Sequence, residues 1–282
     1  MKVIQSVFVL ALLTVVNGSA VAASGEGALP DPPTRLQDVG PTDGLIVQVQ
    51  RRQTANDQND RAYPGLPNIA QFRTNRSDRF LVDLQYVNAG HPFKGRRAIQ
   101  PHQGAHIHWD NSPNAWPKGG VGVSNYPAIY AVADGYVDRI DYSFKVGTND
   151  RYGVSVAFAK DEATVYSFCA GIEPMIPEPA PGFYRRYILV SEGQRVRKGD
   201  IIAYMYLPPG AGGGSHIHFH IQAHNGGAFL APAIFSGEIV ESFHAHWNGF
   251  ARDGAALMPV CMGYLLEADE NPFGNGAADA LK

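Results

Sequence analysis

The sequence is poor in cysteine, in net charge and in long apolar runs, and each scarcity narrows its possible functions. Only two of its 282 residues are cysteines, so at most one disulfide can form within the chain. The formal charge of −3 at pH 7 gives no basic field, which argues against nucleic acid or an acidic membrane as a partner. Convincing amphipathic helices are scarce, and short apolar runs between Gly and Pro residues predict an all-β fold of many short strands.

The N-terminus has the pattern of an export signal. A positive start at Lys2 precedes the apolar run 7–16, which is too short to span a bilayer, and small residues at 20–23 form an A-x-A-like cleavage site. We therefore expect residues 1–23 to be a signal peptide. No later segment is long and apolar enough to cross a membrane, so we expect a periplasmic or extracellular mature protein without a membrane span.

The two cysteines, Cys169 and Cys261, agree with export. An exported chain can join two cysteines in a disulfide, and neither of these lies beside an evident base that would make it a nucleophile. The alternative is two buried thiols that never meet. We predict the disulfide, which would tie the C-terminal part of the chain to the strand that contains Cys169.

Strand patterns follow a polar N-terminal stretch. Residues 24–45 are rich in Pro and Gly and are typical of a linker or an extended arm. Alternation and turn residues then predict strands at 46–50, 80–84, 128–133, 135–140, 154–158, 164–168 and 187–190.

The ten histidines are unevenly spread, and three of them alternate along one predicted strand. In the run 216–221 the period of two puts His216, His218 and His220 on one face and the apolar residues on the other. The apolar face can be buried in a core while the imidazoles line a site.

A second cluster has the same character and contains His102, His106, His108 and Asp110. Neutral imidazole is a favoured zinc ligand, and His with Asp supplies the nitrogen and oxygen donors that zinc accepts. A lone buried histidine is more often a hydrogen-bonded core residue. Two alternating clusters instead predict a zinc site.

Three motifs resemble those of the lysostaphin-type (LytM-like) zinc endopeptidases, in that family's order. The run 214–219 (GSHIHF) resembles G-x-H-L-H-F, 130–137 (YAVADGYV) resembles V-x-A-x-x-D-G-x-V, and 192–203 (EGQRVRKGDIIA) resembles x-G-x-x-V-x-x-G-x-x-I. The resemblance covers about residues 90–224. It implies a divergent member of the family, with an all-β, small antiparallel barrel or sandwich of the duplicated hybrid motif type and extensions at both ends.

The resemblance also implies a division of the chain and a function. Residues 24–89 would form an N-terminal extension, 90–225 the metallopeptidase domain, and 226–282 a C-terminal extension packed on the barrel. The implied function is zinc-dependent hydrolysis of cell-wall peptidoglycan, in which metal-activated water cleaves an amide bond.

The family's metal ligands map onto His218 and His106, and the third ligand has two alternatives. In one register, the run 91–95 (HPFKG) resembles the family's lead-in and selects His102, with His106 at the family's aspartate position. In the other, His106 and Asp110 are the ligands. Residues four apart on a straight strand are about 13 Å apart, so the chain must bend between the two ligands. Gly104 bends most easily, which favours the first register.

The family's catalytic residues transfer only in part. His216 matches the histidine that acts as acid or oxyanion donor, whereas Phe168 stands where the alignment puts a second catalytic histidine. Residues expected to support the site or contact substrate are His108, His220, Tyr166 and Trp109. Because of Phe168, two further functions stay open: a metal-dependent polysaccharide-degrading enzyme on the same barrel, and a non-catalytic scaffold that binds wall polymer.

Overall fold

The computed structural model describes residues 62–91, 105–109, 115–146, 148–176, 180–208, 214–225, 229–246 and 278–279. Several predictions from the sequence fall elsewhere in the chain. The signal peptide, the linker, the strand at 46–50, His102, Asp110 and Cys261 all lie outside the described residues. Within the described residues no helix is long and apolar enough to cross a membrane.

Strands dominate the described part of the chain. They are β1 (Val87–His91), β2 (Ala105–Trp109), β3 (Ala128–Tyr130), β4 (Gly135–Val146), β5 (Asn149–Lys160), β6 (Val165–Glu173), β7 (Arg195–Val196), β8 (Ile201–Tyr204), β9 (His216–Ala223), β10 (Phe229–Ala231) and β11 (Ala278–Asp279). Short 3-10 helices span Ile69–Arg73, Leu84–Tyr86, Val123–Asn125 and Phe183–Tyr187, and the α-helix α1 spans Gly237–His244.

Most strands belong to one sheet, in the order β1-β2-β9-β6-β5-β4-β7. In addition, β10 pairs with β9 and β11, while β3 and β8 form a separate two-stranded sheet. Every strand pair is antiparallel except β10 with β11. The prediction of an all-β, antiparallel fold is therefore confirmed.

The apolar face of β9 forms part of the core, as its alternation predicts. Ile217, Phe219 and Ile221 are fully buried. The Phe219 ring packs edge to face against Phe80 and against Phe243 of α1, with centroids 5.6 and 5.9 Å apart. Full burial of each such side chain contributes about 1.5–3 kcal/mol. This face is therefore covered, and the histidines of β9 lie on the other one.

The apolar run 80–84 is not a strand, contrary to its sequence pattern. Phe80 and Leu81 are buried in the core, but Asp83 precedes the 3-10 helix that begins at Leu84. The Leu81 carbonyl accepts a hydrogen bond from the Tyr130 amide, and the Tyr130 hydroxyl donates to Asp83. Hydrogen bonds to Tyr130 therefore hold this segment in place without regular strand pairing.

Of the other predicted strands, three lie within or overlap observed strands, one is a strand only in part and one is not a strand. The runs 135–140 and 154–158 lie within β4 and β5, and 164–168 coincides with the start of β6. The run 128–133 is a strand only over β3. The run 187–190 is not a strand, because a 3-10 helix ends at Tyr187 and only Ile188 forms a bridge, to Ala203.

Candidate metal-binding site

The pairing of β2 with β9 brings the two histidine clusters together. Their antiparallel register sets His106 opposite His218 and His108 opposite His216. The ring centroids of these pairs are 4.8 and 4.9 Å apart, and the His106 and His216 centroids are 5.0 Å apart. His220 follows on the same face of β9, with its centroid 5.5 Å from that of His218. Five imidazoles from two distant segments thus share one patch of the sheet.

The third metal ligand is not settled by the described residues. His102 and Asp110, the two alternatives, both lie outside them. Within the described part of the chain, no three His, Cys, Asp or Glu side chains are arranged around a common metal position. His106 and His218 therefore provide a pair of donors, and the completing ligand stays a prediction.

An arginine and a glutamate that the sequence motifs did not reveal border the imidazoles. Nη2 of Arg151, on β5, lies 2.6 Å from Nδ1 of His218. Its Nε lies 2.9 Å from Oε1 of Glu173, at the end of β6. A guanidinium can only donate hydrogen bonds, so Nδ1 of His218 is the acceptor. Both side chains of the ion pair are largely buried, at 16% and 7% exposure.

Gly171 makes room for this arginine. It lies on β6 directly opposite His218 in the strand register. A Cβ atom at Gly171 would lie 2.4 Å from Nη2 of Arg151, and 3.0 and 3.1 Å from its Nε and Cζ. The guanidinium therefore occupies the space that a side chain at position 171 would need.

His216 has a defined hydrogen-bonding environment. Its Nδ1 lies 2.7 Å from the carbonyl oxygen of Gly214, which can only accept, so Nδ1 carries a proton. Its Nε2 lies 3.5 Å from Oε2 of Glu173. The imidazole thus lies between two acceptors, and Glu173 contacts both His216 and Arg151.

His220 is a neutral imidazole. Burial, with smaller contributions from the Arg151 and Arg139 charges, lowers the pKa of His220 to about 3. Its ring therefore carries no positive charge at neutral pH.

A groove of about 330 Å³ runs beside the histidines. Its walls come from β4, β5, β6 and β9 and include Arg139, Asp141, Phe144, Arg151, His218 and His220. Since charged, aromatic and imidazole side chains share this groove, it can accept a polar ligand next to the imidazole patch.

Phe168 does not face the site, which corrects the assignment from the sequence alignment. Its ring packs against Phe219 and Phe235, with centroids 6.0 and 5.8 Å apart, on the core face of the sheet. Alternation along β6 puts Cys169 and Gly171 on the histidine face instead. A histidine at position 168 would therefore enter the core and not the groove.

Trp109 and Tyr166 also lie away from the groove. Trp109 is only 1% exposed and shares the core face of β2 with Ile107. The Tyr166 hydroxyl donates to Asp161, at 2.6 Å, and its ring is part of the core. Of the four residues expected to support the site, His108 and His220 join it and these two do not.

Cys169 is a buried, free thiol. The Ser155 hydroxyl donates to its sulfur at 3.3 Å, and burial raises the pKa of Cys169 to about 11. The structure thus does not support the predicted disulfide, whose second partner, Cys261, lies outside the described residues.

A separate polar cluster around His224 lies directly after the end of β9. His224 Nε2 lies 2.8 Å from the Ser167 hydroxyl and 3.3 Å from Oδ2 of Asp138. Ser167 and Tyr63 both donate hydrogen bonds to Asp138. This cluster fastens the segment at Tyr63 to the sheet, and His224 belongs to it and not to the metal-site patch.

The comparisons with known proteins give structural likeness and no sequence match. No family model matches the chain, and no curated protein matches it. A zinc-containing peptidase from Vibrio cholerae is 17% identical with a TM-score of 0.30, over 55% of this chain and 39% of that chain. The chain thus spans about two fifths of that peptidase's length.

Two further solved structures are similar at the same level. The catalytic domain of the prophage-encoded protein EnpA from Enterococcus faecalis is 15% identical with a TM-score of 0.29, over 54% of this chain and 88% of that chain. Lysostaphin is 14% identical with a TM-score of 0.31, over 62% of this chain and 56% of that chain.

Proposed function

We propose that this protein is an exported, divergent lysostaphin-type hydrolase that uses zinc to cleave amide bonds in cell-wall peptidoglycan. The observation that carries the proposal is the pairing of β2 with β9, which sets His106 opposite His218 and adds His216 beside them. The three motifs of the sequence, in the order typical of that family, give independent support.

The donor set fits zinc. Imidazole nitrogen is among the commonest zinc ligands, and cross-strand neighbours are close enough to bind one ion after small side-chain rotations. His106 and His218 would hold the ion together with His102 or Asp110. Binding at Nδ1 of His218 requires the Arg151 guanidinium to move, because it lies 2.6 Å from that nitrogen.

When bound, zinc supplies a Lewis acid and an activated water near neutral pH. The remaining work belongs to the chain's own residues. His216 holds a proton on Nδ1 through the Gly214 carbonyl, and its Nε2 lies near Glu173. Because the neutral ring carries its proton on Nδ1, Nε2 would first accept a proton from the attacking water. The protonated ring would then donate this proton to the oxyanion or to the departing amide nitrogen. His108 stacks on His216 and helps to fix its ring.

One observation favours the second candidate, a non-catalytic scaffold that binds wall polymer. A neutral imidazole has a single acceptor nitrogen, and in His218 that nitrogen accepts the hydrogen bond from Arg151. A site that keeps this contact binds no metal through His218. The groove beside it could still bind a polar polymer.

Digestion of purified substrates separates these functions. The mature protein, loaded with zinc, would be incubated with peptidoglycan and with a panel of polysaccharides, followed by assays for new amino groups and new reducing ends. We expect new amino groups from peptidoglycan, and their absence with His216→Ala.

Each other result selects a different function. New reducing ends from a polysaccharide would favour the polysaccharide-degrading enzyme. Co-sedimentation with peptidoglycan without any cleavage, equal for the wild type and His216→Ala, would contradict the hydrolase and favour the scaffold.

A further inference from the structure

The Arg151 guanidinium lies where it can control access to His218. We infer that Arg151 competes with a metal ion for Nδ1 of His218 and thereby sets the metal affinity of the site. The inference rests on the proposed function, since it concerns the same pair of histidines. It assigns a role to a residue that belongs to none of the sequence motifs.

The hydrogen-bond chemistry makes the two occupants mutually exclusive. Arginine has donors and no acceptor, so its contact with Nδ1 of His218, at 2.6 Å, uses the lone pair of that nitrogen. In a neutral imidazole the other nitrogen then carries the proton. A metal ion needs a lone pair, and the nitrogen that it does not bind normally keeps its hydrogen. While Arg151 holds Nδ1, neither nitrogen of His218 is available to the ion.

The contact is built into the fold and is not a chance approach of a surface side chain. The guanidinium is bound to Glu173, and its Cζ lies 5.1 Å from the centre of the Phe144 ring. Gly171, opposite His218 in the register, leaves the space that it fills, because a Cβ there would lie 2.4 Å from Nη2. Contacts from three sides thus direct the guanidinium towards His218.

The guanidinium has room to move away from His218 when an ion binds. A divalent ion at His218 would repel the arginine charge strongly at such short range. The groove of about 330 Å³ opens beside the guanidinium, and the Nε contact with Glu173 can remain while Nη2 leaves the imidazole. Metal binding therefore requires Arg151 to give up its contact with His218, and the loss of this contact lowers the affinity of the site for the ion.

Two variants of the full mature chain remove the contact in different ways. Arg151→Ala removes the guanidinium. Gly171→Ala keeps the positive charge of Arg151, and the added methyl group displaces the guanidinium, because it would lie 2.4 Å from Nη2 and 3.0 Å from Nε. Arg139→Ala is the matched control, because it removes a positive charge from the same groove without a contact to His218.

The measurement is the affinity for Zn²⁺ alone, by competition with a chelating indicator, with Co²⁺ absorption as a second readout of the coordination. Because a hydrogen bond to a charged group is strong, we expect Arg151→Ala and Gly171→Ala each to bind Zn²⁺ about ten- to a hundredfold more tightly than the wild type. Arg139→Ala should differ by about threefold at most, since an exposed charge is well screened. Unfolding curves check that each variant is folded, and Gly171→Ala keeps a positive charge near the buried Glu173 if Arg151→Ala is unstable.

The possible results separate the inference from the proposed function. If the wild type binds zinc and both variants bind it equally well or more weakly, Arg151 is no competitor, while the metal site itself stands. If neither the wild type nor either variant binds zinc, the proposed metal site is wrong and the inference falls with it. If Arg139→Ala tightens binding as much as Arg151→Ala, groove charge and not the contact sets the affinity, which also overturns the inference.

Discussion

His106 and His218 lie directly opposite each other on β2 and β9, with their rings 16° from parallel and their centroids 4.8 Å apart. More than a hundred residues separate the two in the sequence, so the strand register and not either motif alone creates the pair. A shift of the register by one residue would move one of the rings to the core face. The site is therefore as stable as this strand pairing.

His216→Ala tests the role of the third imidazole in this patch. We expect the variant to keep its zinc, because His216 is not one of the proposed ligands, and to lose turnover on peptidoglycan by about 10²–10⁴-fold, as removal of a proton donor typically does. The checks are metal content and the rate of release of amino groups. Loss of the metal together with the rate would instead make His216 a ligand, and an unchanged rate would remove it from the mechanism.

The sequence predicts the imidazole patch well and its surroundings poorly. Strand alternation is a local property, so it correctly puts His216, His218 and His220 on one face. Arg151 and Glu173 lie on other strands, dozens of residues away, and join the site through the order of the sheet, which no local pattern encodes.

Phe168 shows that a match to a family motif does not fix the face of the strand on which a residue lies. In a strand, a shift of one residue exchanges the two faces, and Phe168 therefore lies in the core although its neighbour Cys169 lines the groove. The predicted strand at 80–84 is absent for a different reason. The segment is apolar like a strand, but hydrogen bonds to the side chain and backbone of Tyr130 hold it in an irregular conformation.

Phe168→His tests this placement. We expect no gain in amide cleavage and a loss of about 2–4 kcal/mol in the free energy of unfolding, because an imidazole would replace a phenyl ring packed among Phe219 and Phe235. Urea unfolding gives the loss. Phe144→His is the matched control, since Phe144 is 40% exposed and its replacement should cost about 0.5 kcal/mol or less. Equal losses in the two variants, or new cleavage activity in Phe168→His, would contradict the core position.

The cluster around Asp138 predicts a pH dependence of stability. Burial alone would raise the pKa of Asp138, but hydrogen bonds from His224, Tyr63 and Ser167 outweigh it and hold this pKa below its usual value. The carboxylate thus stabilises the fold above its unfolded pKa of about 4, and this contribution is lost as the pH falls through the lowered, folded value.

Asp138→Asn should therefore be about 1–3 kcal/mol less stable than the wild type at pH 7, and the difference should shrink below about pH 4. Urea unfolding at a series of pH values measures it. The exposed Glu241→Gln is the control and should show little difference at any pH. A difference for Asp138→Asn that stays constant down to pH 2 would show that its ionisation does not contribute.

The most direct measurement is the zinc content of the purified mature protein and of two histidine variants, one on β9 and one directly after it. His218→Ala removes a proposed ligand, whereas His224→Ala removes an imidazole that is bound to Ser167 and Asp138 at the far end of the strand. We expect about one zinc ion per chain in the wild type and in His224→Ala, and far less than one in His218→Ala. Zinc that stays near one per chain in His218→Ala, or that is lost equally in both variants, would contradict a metal site built on the pairing of His106 with His218.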